Sequence, residues 1–247
     1  MVQRTQMPPQ TEIFTDYGWY DKGNLLNRLT ADRCNYIESR IERVFGRSAL
    51  AQQEILEVGC GGGLLCRELA RRGALMTGLD PSASSLTGAR RYVQQGHLGH
   101  NVAFDLGSAE ALPYADGSFS AIVCLDVLEH VQNLPLTIHE IARVLAPGGI
   151  FIFDTINRTF LAQLVLIWIG ERFFQKQGLV PGLHQYASFI KPGELRTLMT
   201  QDALQIQELT GFMPKLVEGR LTLAPGWFKG VSYIGYATKG RAEQRNS

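Results

Sequence analysis

The chain has 247 residues, with 24 Lys and Arg against 23 Asp and Glu, giving a net charge of +1. That length suits one α/β domain with additions and buries a full core without disulfides or metals. So even a charge balance leaves no electrostatic footprint for nucleic acid. The sequence has no uninterrupted apolar run of the length needed to span a bilayer.

Met1–Gln10 is polar and contains prolines, with no apolar stretch of the kind that marks a secretory signal. The four cysteines, Cys34, Cys60, Cys66 and Cys124, form no C-x-x-C pair. They read as free thiols in a reducing compartment, so a cytoplasmic protein is expected.

In chain order, residues 1–15 read as a loose tail, 16–240 as a single domain and 241–247 as a second tail. Leu25, Leu26, Leu29, Cys34, Ile37, Ile41, Val44 and Phe45 recur at helical spacing. Asn24 or Thr30 is available as an N-cap and Gly46 as a stop, giving a helical cover ahead of the central fold. Strands and helices then alternate. Strands are expected at 54–58, 75–79, 102–105, 121–125 and 150–154, with helices at 64–72, 82–95 and 134–144. This rhythm implies βαβ units and a mostly parallel sheet covered on both faces.

Residues 158–190 break the rhythm and read as an insertion, opening on the apolar helix candidate Phe160–Ile169. A further helix starts near Lys191. Leu204–Thr210 and Val231–Thr238 read as strands joined by a long loop holding Pro214, Pro225 and Gly226.

The most informative stretch is Ile55-Leu56-Glu57-Val58-Gly59-Cys60-Gly61-Gly62-Gly63, followed by Gly78-Leu79-Asp80. It is a strand, a glycine turn, a helix and a second strand ending in an acid. Glycines let backbone approach a ligand where a Cβ would block it. An acid at the second strand's end suits a pair of ribose hydroxyls, so a nucleoside-containing cofactor is expected. A dinucleotide fingerprint, G-x-G-x-x-G, requires a glycine at position 64, which is Leu64. The glycines fall instead at 59, 61 and 63. A purely structural glycine turn is the bland alternative.

This pattern, with Glu57 two residues ahead, resembles motif I of the class I S-adenosylmethionine-dependent methyltransferases. Three further segments extend the resemblance: Glu110-Ala111-Leu112-Pro113 with Asp116–Cys124, Leu128-Glu129-His130-Val131, and Leu145-Ala146-Pro147-Gly148-Gly149. A narrower resemblance is to the ubiquinone-pathway O-methyltransferases. It is carried by Tyr17–Asp21, Leu29–Ile37, Thr155–Arg158, Gly182–Tyr186, Phe189–Leu195 and Gly211-Phe212. The chain departs from that family at Trp19-Tyr20, where paired tryptophans are usual, and at Asp126, where the family carries Glu.

The resemblance implies a Rossmann-like class I methyltransferase sandwich. Its sheet is expected to be mostly parallel and seven-stranded, with an antiparallel C-terminal hairpin, a helical N-terminal cover and the apolar insertion after strand five. It implies S-adenosyl-L-methionine as cofactor, held by Arg33, Glu57, Gly59, Gly61, Gly63, Asp80, Ser108, Ala109, Glu110 and Leu125. Arg33 is expected to reach the cofactor carboxylate, Ser108, Ala109 and Glu110 the adenine, and Leu125 the methionine portion. Surface roles for Asp80 and Arg33 are the alternatives.

The implied acceptor is a catechol-like hydroxyl on a small hydrophobic aromatic that carries a polyprenyl chain. The alternative is a methyltransferase of another small-molecule pathway, acting on a different oxygen, nitrogen or carbon. A non-catalytic module of the same fold and an NAD-dependent oxidoreductase are weaker readings. A phenol near pKa ~10 attacks poorly until its proton leaves. His130 suits a general base. The family instead implies a Mg2+ ion on Asp126, Glu129 and His130, with Glu129 and His130 catalytic. A third reading has these residues only shaping the loop. The apolar stretch, with Arg158 before it and Arg172 and Lys176 after, reads either as a lid or as a peripheral membrane contact through about 159–176. No oligomeric state is implied.

Overall fold

The computed structural model describes residues 17–170, 184–217 and 220–240. The expected tails at 1–15 and 241–247, and the insertion residues Arg172 and Lys176, lie outside them.

Asn24 caps helix α1, Leu25–Phe45, by accepting the Leu26 amide, and Gly46 ends it at φ 103°. Thr30 is not a cap: its hydroxyl donates to the Leu26 carbonyl one turn back. The alternation then runs β1 (Glu54–Val58), α2 (Leu64–Arg71), β2 (Leu75–Asp80), α3 (Ala83–Gln95), β3 (Val102–Leu106), β4 (Phe119–Cys124), α4 (Leu134–Val144) and β5 (Leu145–Ile156). Ser82 caps α3 through the Ser85 amide, and Asn133 caps α4 through the Leu136 amide. After β5 come a helical turn at Phe160–Ala162, a π-helical stretch at Gln163–Gly170, and α5 (Pro192–Gln201). Strands β6 (Leu204–Val217), β7 (Arg220–Gly226) and β8 (Ser232–Lys239) complete the chain.

These strands form one sheet of eight, in the order β3-β2-β1-β4-β5-β8-β6-β7. Strands β1 to β5 are parallel, and β8, β6 and β7 are antiparallel. The expected seven strands become eight because the expected long loop is an excursion of strand. Beyond Gly211, β6 leaves β8 and pairs with β7 alone. Pro214 and Pro225 sit in this two-stranded ribbon, where each backbone has an open edge and a missing N–H breaks no second ladder.

Side-chain alternation divides the core between the two faces. Ile55, Met76, Ala121, Val123, Ile150 and Ile152 pack beneath α1, α2 and α3 through Ile37, Ile41, Leu69, Leu86 and Val93. Leu56, Leu79, Ile122, Phe151 and Phe153 pack against α4 and α5 through Ile138, Ile141, Leu195 and Met199. Each of these side chains other than Ala121 contributes roughly 1.5–3 kcal/mol by leaving water. The strand order reverses between β1 and β4, so the chain leaves those two strands in opposite directions. A crevice opens outside their carboxyl ends, which is where ligands bind in open α/β sheets.

Candidate active site

The glycine turn lies at the mouth of that crevice. Gly59, Gly61 and Gly63 have φ of 75°, 49° and 70°, left-handed values that glycine adopts at no steric cost. The Gly59 and Cys60 amides donate to the Leu79 carbonyl, and the Gly61 amide donates to Asp80 Oδ2 at 2.8 Å. Asp80 Oδ1 accepts the Ser82 amide at 2.9 Å. Asp80 is buried, which raises its pKa, while the two amides oppose the rise. Each carboxylate oxygen keeps a lone pair for a ligand hydroxyl. Glycine backbone and Asp80 therefore meet, as the sequence predicts, and they fit a ribose-bearing cofactor.

Glu57 lies in β1 just ahead of the turn. It is buried under α2 and accepts a hydrogen bond from the Cys66 thiol at 2.8 Å. Burial lifts its pKa to about 8. Ser108 Oγ accepts the Glu110 amide, and Ser108 bridges to Ala111, so 108–111 form a small turn after β3. The Glu110 carboxylate accepts the amides of Gln132 and Asn133, tying that turn to the start of α4. Leu125 leaves β4 beside the glycine turn and packs on the face that carries Cys60 and Leu65.

Arg33, delivered by α1, does not stand free. Its Nη2 lies 2.6 Å from Asp126 and 3.4 Å from Asp154, the latter at the end of β5. Burial pulls the guanidinium pKa down, but Asp126 and Asp154 outweigh that and raise it. Asp126 sits at φ 55°, and its amide donates to Asp154 Oδ1 at 2.6 Å. Glu129 is buried and accepts the Thr155 hydroxyl at 2.8 Å. Burial, then Asp126, lifts Glu129 to about 7. His130 is pushed below its usual pKa by burial, against the pull of Asp126. Its ring lies 5.4 Å from that of His184.

The expected metal set Asp126, Glu129 and His130 is not borne out by this geometry. Among the described residues no three His, Cys, Asp or Glu side chains converge on one point. Asp126 is engaged by Arg33, and Glu129 by Thr155.

Several residues here had no site role in the sequence reading: Asp154, His184, Val127 against Gly59, and Trp19 against Gly61 and Gly62. For Asp154 a signal existed. It ends a parallel strand on the same edge as Asp80, the edge where such sheets bind ligands.

A methyltransferase domain model matches residues 56–153. The ubiquinone biosynthesis O-methyltransferase of Azoarcus sp. strain BH72 is 35% identical over 208 residues, covering 83% of this chain and 85% of that protein. The chain belongs to the ubiquinone biosynthesis O-methyltransferase family. The member from Agrobacterium fabrum is 33% identical over 205 residues, covering 81% of this chain and 80% of its own. Among solved structures, the magnesium protoporphyrin IX methyltransferase of Synechocystis PCC 6803, with S-adenosylhomocysteine bound, superposes with a TM-score of 0.60. It is 20% identical and covers 93% of this chain and 92% of that one. Family membership, the glycine turn and the sheet order agree: the chain is a class I S-adenosylmethionine-dependent methyltransferase.

Proposed function

We propose that this enzyme methylates a catechol-like hydroxyl on a hydrophobic, polyprenylated aromatic. The observation that carries the proposal is the likeness to ubiquinone biosynthesis O-methyltransferases over more than 80% of both chains. The donor supplies an activated methyl group on a sulfonium; the protein supplies orientation and proton removal. The backbone of Gly59, Gly61 and Gly63 takes the donor's tail and ribose, and Asp80 accepts from the ribose hydroxyls. Ser108, Ala109 and Glu110 border the adenine, and Leu125 the methionine portion. Arg33, steadied by Asp126 and Asp154, faces the donor's carboxylate.

His130 is the base. Its lowered pKa keeps the imidazole neutral at pH 7, ready to take a phenolic proton. Glu129, lifted to about 7 by burial, stands within the electrostatic reach of His184. The residues as placed do not fit a Mg2+ ion, so no step is drawn through one.

The described part of the apolar insertion supports a contact with the bilayer by a cytoplasmic protein. Ala162, Leu166 and Ile167 pack on Ile156 and Phe189. Phe160 is 66% exposed, and Trp227, in the loop that hydrogen-bonds Asn157 and Thr159, is 84% exposed. Among the described residues no helix is long and apolar enough to cross a membrane. A face of this kind suits an interfacial position, where a polyprenyl substrate is met.

The test is methyl transfer from labelled donor to catechols of increasing tail length, with liposome flotation alongside. Transfer that improves with tail length is expected. Transfer to a nitrogen or carbon acceptor, with none to catechols, would overturn the acceptor reading. Failure to float with either neutral or anionic lipid would overturn the membrane contact.

A further inference from the structure

An aromatic segment, Tyr17–Asp21, lies on the glycine turn. The long axis of the Trp19 indole runs along two glycines. Its six-membered ring covers Gly61 and its five-membered ring covers Gly62, so closely that a Cβ on either would collide with it. The neighbours pin it there. Tyr20 Oη donates to the Gly62 carbonyl at 3.0 Å, and the Tyr20 ring stacks on Tyr92 with centroids 4.3 Å apart. The Tyr17 ring meets Trp19 edge-on at 4.5 Å. Asn24, the cap of α1, donates to the Gly18 carbonyl at 3.1 Å and ties the segment to the helix that delivers Arg33.

Gly62 makes the placement informative. Gly59, Gly61 and Gly63 have positive φ and need glycine for conformational reasons; Gly62 does not. What excludes a side chain at Gly62 is the Trp19 ring. The turn is thus shaped for the indole as well as for a ligand.

We propose that Trp19 is a gate residue whose indole and the methyl donor compete for the same face of Gly61 and Gly62, with Tyr20 as the pin on which the segment turns. The inference rests on the reading that the glycine turn and Asp80 hold the donor. Two bodies cannot share that face, so donor binding moves the ring off it. Affinity for the donor is therefore lowered by whatever holds Trp19 in place, because the open form is only a fraction of the population. The same coupling links donor binding, through the Asn24 cap, to the helix carrying Arg33.

Calorimetry with S-adenosylhomocysteine tests this on the wild type, Trp19→Ala, Tyr20→Phe and Asp80→Ala. Trp19→Ala removes the competitor; Tyr20→Phe removes the hydrogen bond that pins the segment to the Gly62 carbonyl while keeping the indole. Both are expected to bind about 3–10-fold more tightly. In a Trp168→Phe, Trp227→Phe background, Trp19 is the sole tryptophan, and its emission is expected to shift to the red as the ligand saturates. Unchanged or weaker binding in both variants, or an emission that ignores the ligand, overturns the gate. Asp80→Ala separates the two failures: if it leaves affinity intact, the reading of the donor site fails instead.

Discussion

Asp154 accepts the backbone amide of Asp126 at 2.6 Å, so a buried carboxylate at the end of β5 fixes the left-handed turn at the end of β4. A non-glycine residue in that region costs roughly 1 kcal/mol or more and persists only where its surroundings impose it. Asp154→Ala removes that acceptor and an Arg33 partner. It is expected to cost about 1–3 kcal/mol. Asp154→Asn, which keeps an oxygen for the amide, is expected to recover most of this. Urea unfolding with an unchanged slope checks both.

Asp80→Ala removes the carboxylate that accepts the Gly61 amide. Two charge-assisted hydrogen bonds to a ribose are worth roughly 1.5–3 kcal/mol each. Affinity for S-adenosylhomocysteine is expected to fall about 10²- to 10⁴-fold, by calorimetry, while the thermal transition stays cooperative.

His130→Ala is expected to lower kcat about 10²- to 10⁴-fold. Because no part in holding the donor falls to His130, affinity for S-adenosylhomocysteine is expected to hold. A base works when unprotonated, so activity rises with pH through the pKa of His130. Burial places that pKa below 6.5. The acid limb of kcat/KM is therefore expected below pH 6.5, and His130→Gln is expected to abolish it. A limb that survives in the variant would move the role to Glu129.

Glu57 titrates near 8 when folded, against 4.5 when exposed. The folded state thus holds a proton that the unfolded chain releases. Its contribution to stability is present below about pH 4.5 and is lost as pH rises toward about 8. Wild-type stability is expected to decline across that window, and Glu57→Gln to flatten the decline and melt higher at pH 8. Glu129, lifted to about 7, keeps a residual slope of the same sign in the variant. Thermal scans at fixed ionic strength measure it.

Chelation is expected to leave the initial rate unchanged, since Asp126 is held by Arg33 and Glu129 by Thr155. A rate lost to EDTA and restored by Mg2+ would show that these carboxylates rearrange around an ion. The comparison requires a matched ionic strength.

Local patterns made much of this molecule legible. The helix cap Asn24, the parallel strands and the glycine turn with Asp80 all follow from short spacings. Strand β7 was not legible, because Pro214 and Pro225 signal a loop unless the strand has an open edge. The metal set finds no support in the placement of its residues. D-x-x-E-H shows three ligand types close in sequence, but not that Arg33 and Thr155 take two of them.

The sequence by itself determined the sheet class, the glycine turn and the family, because hydrophobic period and glycine position act over a few residues. Only the tertiary structure decided what surrounds that turn. Arg33 and Asp154 are 121 positions apart, and Tyr20 and Gly62 are 42 apart. Such pairs meet only once strand order and helix docking are set, and no local spacing encodes them.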